Sequence, residues 1–127
     1  MNKIQDLYYK VKYFIQRGKR GWADCDVWDL DHYICDLMIQ TLTHLKTITN
    51  GCPPELFDKN ATNQSWKWEK ILDEIIEGFN AGKEIIDEKN IFNIENIEDY
   101  QKEYKYLLKK FNKGIELLKQ YFFYLWD

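Results

Sequence analysis

Cysteine, proline and glycine are all scarce in this 127-residue chain: three, two and six residues respectively. Cys25, Cys35 and Cys52 are an odd number with no CxxC pair, which excludes a disulfide framework and a zinc knuckle and makes a reducing compartment the expected setting. No apolar run approaches the roughly 18 residues that cross a bilayer, and no charged-then-apolar leader opens the chain, so neither secretion nor membrane insertion is expected. The glycines form no phosphate loop, because Arg17-Gly-Lys-Arg-Gly21 has neither the Walker nor the dinucleotide spacing and follows no strand. His32 and His44 lie twelve residues apart, share no helical face and have no serine or cysteine placed beside them as a nucleophile. No catalytic residue, metal or cofactor is expected from these patterns.

Aromatic residues, at 17%, are the abundant class. Charge is polarised: residues 1–20 carry Lys3, Lys10, Lys12, Arg17, Lys19 and Arg20 against Asp6, a net +5 that leaves −8 for the rest of a chain totalling −3. Nonspecific nucleic-acid binders are usually basic throughout, so no nucleic-acid partner is expected, and the basic end reads as a counterweight to the aspartates that follow it.

Hydrophobic spacing divides the chain into four helices, an all-α bundle in a single domain over 1–127. Ile4, Leu7, Tyr8, Val11, Phe14 and Ile15 predict a helix over about residues 2–16, ended by Gly18 and Gly21. Asp24 or Asp26 is placed to cap a second helix, whose buried face is Val27, Trp28, Ile34, Cys35, Met38, Leu42 and Leu45 and whose end is Asn50-Gly-Cys-Pro-Pro54. Ser65 opens a third with Trp68, Ile71, Leu72, Ile75, Ile76 and Phe79 on one stripe; Gly78 and Gly82 at its edge suit either close approach of another helix or, for Gly82, a stop. The fourth begins near Asn96, with Ile97, Tyr100, Tyr104, Leu107, Leu108, Phe111, Ile115, Leu118, Phe122 and Leu125 on its predicted buried face.

The segment from Arg17 to Tyr33 concentrates the unusual chemistry. At about 100° per residue Asp31 falls among Val27, Trp28, Ile34 and Cys35, so it is expected to be buried and to need a cation or hydrogen-bond donors. Arg17, Arg20 and the indoles of Trp22 and Trp28 are the available donors. The run Asp24, Asp26, Asp29, Asp31 is no calcium loop, because its sixth residue is Asp29 where glycine is required. Glu74 with Glu77, and Glu84 with Glu88, have the spacing of helical magnesium sites in all-α nucleotide pyrophosphohydrolases, a spacing equally common on a solvated helix face.

The same segment carries a likeness. Gly21-Trp-Ala-Asp-Cys-Asp-Val-Trp-Asp-Leu-Asp-His-Tyr33 after Arg17-Gly, then Asn50-Gly-Cys-Pro53, Trp68-Glu-Lys-Ile-Leu-Asp-Glu-Ile-Ile-Glu-Gly-Phe79 and the terminal Tyr121-Phe-Phe-Tyr-Leu-Trp-Asp127 resemble a family of small bacteriophage proteins. That family has Arg-Gly-aromatic-x-x-x-Asp-Val-Trp-x-Leu-Asp-x-Tyr followed by a His-Gly-aromatic-Pro turn, whose place Asn50-Gly-Cys-Pro53 takes here. The resemblance implies a phage origin and the host cytoplasm, and no mechanism.

A phage origin makes a host protein, such as a defence component, the expected partner, with Arg17, Arg20, Trp22, Asp24, Asp26, Trp28 and Asp31 as the candidate binding residues. Tyr106, Leu117 and Tyr124 fall opposite the main stripe of the last helix and form a candidate interaction strip, open to a second copy of the chain as well. No membrane partner is expected. Two other classes stand beside this reading. A nucleotide or other small molecule would use Arg17, Lys19 and Arg20 for phosphate and Trp22 or Trp28 for stacking, and a metal-dependent helical enzyme would use Glu74, Glu77 or Asp31.

Overall fold

A computed structural model describes residues 2–49, 51–56, 65–87 and 97–126. Five α-helices account for most of them: α1 (Lys3–Arg20), α2 (Asp24–Trp28), α3 (Leu30–Ile48), α4 (Ser65–Asp87) and α5 (Ile97–Tyr121), with single 3₁₀ turns at Pro54–Leu56 and Phe122–Tyr124. No strand occurs among the described residues, so the fold is all-α. The chain divides into two compact units, residues 1–34 and residues 35–127.

In the first unit, α1 starts at a capping box: the Asn2 side chain accepts the Gln5 amide at 2.8 Å while the Gln5 side chain accepts the Asn2 amide at 3.4 Å. It runs through Gly18, which was expected to end it. A Cβ at Gly18 would meet no neighbour, so that glycine costs helix propensity without stopping the helix. The stop comes at Gly21, whose left-handed φ of 88° lets its N–H return to the Arg17 carbonyl at 2.9 Å. Ala23, extended and fully buried, then leads into α2. The predicted second helix is in fact two: Asp29 leaves the helical region (φ −130°, ψ 53°) and separates α2 from α3.

The second unit is organised by an antiparallel pairing of α4 and α5. Trp68, Leu72, Ile75 and Phe79 are buried at alternating steps of four and three residues, the seam of a coiled-coil-like contact. On α5 the seam runs through Leu107, Phe111, Gly114, Leu118 and Tyr121. Trp68 meets the Tyr121 ring edge-on at 5.7 Å and Phe79 meets Phe111 at 6.3 Å, which pairs the start of one helix with the end of the other. Cys35 and Leu42 of α3 complete the core. Fully burying residues such as Leu72 and Ile75 stabilises the fold by about 1.5–3 kcal/mol each.

Of the two readings of Gly82, close approach holds: it does not end α4, which continues to Asp87, and the space where its Cβ would stand holds the Phe111 ring, 2.8 Å away. The predicted α5 stripe is displaced, with Ile97, Tyr104, Ile115 and Phe122 exposed while Gly114 and Tyr121 are buried. Ile97 and Tyr104 keep the three-and-four spacing that leads into the seam but precede the first buried residue of α5, Leu107, whereas Ile115 and Phe122 stand one residue past the seam positions Gly114 and Tyr121, and Phe122 lies in the 3₁₀ turn after the helix.

At the crossing, a Cβ on Gly78 would lie 2.8 Å from the Gly114 Cα and 3.1 Å from the Lys110 carbonyl oxygen, and a Cβ on Gly114 would lie 2.8 Å from the Gly78 Cα. Backbone cannot yield as a flexible side chain does. Gly78→Ala and Gly114→Ala are therefore each expected to lower stability by about 1–3 kcal/mol in urea denaturation, overriding the propensity gain of about 1 kcal/mol that alanine brings to a helix interior. An unchanged midpoint for either would show that the helices do not cross there.

Candidate functional site

The short α1–α2 connection places five polar side chains of α1 and α2 within reach of one another. Arg17 grips Asp26 with two bonds, Nη2 to Oδ1 at 2.7 Å and Nε to Oδ2 at 3.1 Å, and the Ala23 amide donates to the same Oδ2 at 2.8 Å. Asp26 is 6% exposed, and this fork and amide replace its lost water. One turn away, Gln16 and Asp24 exchange a reciprocal pair of bonds, each 2.9 Å, between the amide side chain and the Asp24 carboxylate and backbone N–H. Arg20 donates to Asp24 at 2.5 Å and to the Trp22 carbonyl at 2.9 Å, and its guanidinium lies 3.7 Å from the centroid of the Trp22 ring.

These contacts set the acidities. Hydrogen bonding from Arg17 holds the Asp26 carboxyl below the usual aspartate range against the opposing effect of burial, and the Ala23 amide assists. Asp24 is likewise lowered, first by Gln16 and then by Arg20. Arg17 is raised by its bond to Asp26.

Of the seven residues expected to form the site, Arg17, Arg20, Trp22, Asp24 and Asp26 come together in this lock. Trp28 stands beside it, edge-on to Tyr13 with ring centroids 5.9 Å apart and planes at 89°, and is 73% exposed. Asp31 does not join. It is exposed, and its carboxylate accepts the His32 amide at 2.8 Å. The expectation of a buried Asp31 fails because, although it shares the face of Cys35 and Leu42, it stands in the first turn of α3, ahead of the first buried residue of that helix, Cys35. The buried carboxylate is Asp26.

Tyr9, Tyr13 and Gln16 were missed, and the sequence did hold a signal for them. Their spacing of four and three puts them on the side of α1 opposite the apolar stripe, where a second element must sit. Tyr9 and Tyr13 stack with centroids 5.9 Å apart. Together with Trp28, Lys12, Asp6 and Asp24 they line a groove of about 560 Å³.

A phosphate would have to displace Asp26 from Arg17 and Asp24 from Arg20, and the Arg20 guanidinium covers one face of the Trp22 ring that a base would need. Elsewhere, Glu74 lies 3.7 Å from Lys113, Glu77 is exposed and Glu88 lies outside the described residues. No group of three or more His, Cys, Asp and Glu side chains able to hold a metal ion occurs among the described residues. Of the predicted strip on α5, Tyr106 is exposed with the Lys110 ammonium 4.8 Å from its ring centroid, whereas Leu117 and Tyr124 are half-buried against the core. Asn50 of the Asn-Gly-Cys-Pro turn lies outside the described residues, and Pro53 is buried. No helix is long and apolar enough to cross a membrane among the described residues. Compared with protein-family models, curated proteins and solved structures, the chain matches none.

Because both aspartates titrate lower in the folded chain than in the unfolded one, their stabilisation is complete above about pH 4 and is lost as acid protonates them below it. Amide-exchange protection of residues 3–28 is expected to fall below that pH. Asp26→Asn, which leaves Arg17 without its charged partner, should cost about 1–3 kcal/mol at neutral pH and flatten the acid transition. Asp31→Asn should stay within about 0.5 kcal/mol. Equal effects of the two substitutions would place the buried carboxylate wrongly.

Proposed function

We propose that this chain acts by binding a protein rather than by turning over a substrate, and that the first unit presents the contact surface. The observation that carries the reading is the exposed indole of Trp28, propped edge-on by Tyr13 at the border of the aromatic groove. Tryptophan and tyrosine held rigid at a surface are the residues that dominate protein interfaces, since they offer large apolar area with little side-chain entropy to lose. Val27 and Leu30 are exposed beside it in sequence and extend the apolar contact.

The cationic lock serves this surface structurally. Arg17 and Arg20 fix α2 against α1 and so hold Trp28 in place, which assigns Arg17, Arg20, Asp24 and Asp26 the role of positioning residues and Trp28 that of anchor. The resemblance to small bacteriophage proteins supplies the partner's origin: a host protein in the host cytoplasm, with a defence component as the leading candidate and inhibition as the outcome of binding.

Affinity capture from infected-host lysate tests this, with parallel columns carrying the wild-type chain and Trp28→Ala. A stoichiometric host protein should remain on the wild-type column and fall by more than about tenfold on the variant, the loss expected of an interface anchor. Identical protein profiles on the two columns would refute the assignment.

A further inference from the structure

The side of α1 turned away from α2 carries a second surface, independent of Trp28. At about 100° per residue, Phe14, Leu7, Val11, Ile4, Ile15 and Tyr8 span an arc of about 120°, while Gln16 and Tyr13, which meet α2, lie on the opposite side. No residue of α1 is buried, and Ile4 and Phe14 are 80% and 77% exposed. Lys3 and Lys10 border one long edge of this arc and Lys12 and Lys19 the other; Lys10 and Lys12 also line the Tyr13 groove, where Lys12 lies 4.0 Å from Asp24, so Lys3 and Lys19 are the lysines left wholly to the stripe.

We propose that α1 is an interfacial helix that lies on membranes containing anionic lipid. An apolar stripe bordered on both edges by lysines, on a helix of low overall hydrophobicity, is the arrangement such helices use: the stripe enters the acyl boundary while the lysine stems reach outward to the headgroups. This needs no spanning segment, which was the basis for expecting no membrane partner. Charge decides between the occupants of the face. A second copy docked stripe to stripe would bring like-charged edges together, whereas an anionic bilayer supplies carboxylates or phosphates to both edges at once. Asp6, the one acidic residue of α1, lies behind the basic edge and pairs with Lys10 at 2.9 Å.

Sedimentation of the full chain with vesicles of roughly three parts phosphatidylcholine to one part phosphatidylglycerol, beside pure phosphatidylcholine, provides the test. Binding to the anionic vesicles should exceed binding to the neutral ones by at least about tenfold and weaken with salt. Lys3→Gln and Lys19→Gln, on opposite edges, should each weaken it about fivefold. The double variant Leu7→Gln, Phe14→Gln should weaken it by more than about tenfold with helical content unchanged. Absence of the wild-type chain from the anionic pellet at low salt overturns the proposal and leaves the face to a protein partner. A dimer in light scattering that the double variant splits overturns it in favour of a second copy. Neither result bears on Trp28, so this proposal and the protein-binding reading fail separately.

Discussion

The first unit depends on replacing the water that Asp26 gives up. A carboxylate at that burial would cost several kcal/mol unpaired, and here the Arg17 fork and the Ala23 amide together satisfy it. Both donors exist only when the chain turns sharply after α1, so the left-handed Gly21, the extended Ala23 and the five-residue α2 are one cooperative arrangement. An isolated helix as short as α2 would not persist in water, and its stability comes from this lock. The basic character of residues 17–20 is thereby largely spent inside the unit. What remains on α1 for outside partners is aromatic and apolar surface on two opposite sides, with Lys3 and Lys19 at the edges of the apolar one.

The second unit solves a different problem with the same economy. Its helices α4 and α5 carry little charge across their seam and interlock through rings and gaps: Phe111 fills the space over Gly82, and Phe79 leans on Phe111. Ion pairs join α3 to α4 instead, where Lys46 meets Asp73 and Asp36 meets Lys83, each at 2.7 Å. Their side chains are a third to a half exposed or close to it, so they add little to stability and more to the choice of neighbours.

Legibility followed the length of uninterrupted periodicity. The stripe of α4 was read correctly from Trp68 to Phe79 because about three turns of regular spacing leave no other solution. The start of α5 was expected near Asn96, which lies outside the described residues, and the helix is described from Ile97 on. Asp31 was misplaced because periodicity gives the face of a residue but not how far along the helix the core reaches, and burial on α3 begins only at Cys35. On α5 the spacing was legible, but not that burial starts only at Leu107, nor that the helix gives way to a 3₁₀ turn at Phe122 and leaves that ring exposed. In the candidate site the pairing was not legible, since Arg17 with Asp26 and Gln16 with Asp24 are tertiary contacts across a turn whose geometry is set by Gly21.

The contact between Gly78 and Gly114 also acts as a register key. Sliding α4 by one turn along α5 in one direction would press the side chain of Glu74 against the Gly114 backbone. Sliding it the other way would bring Gly82 to Gly114, the one other glycine that fits, but would strip Phe111 of the gap its ring occupies. Two residues without side chains thus select a single alignment of the hairpin, much as the cut of a lock admits one key by where metal is missing.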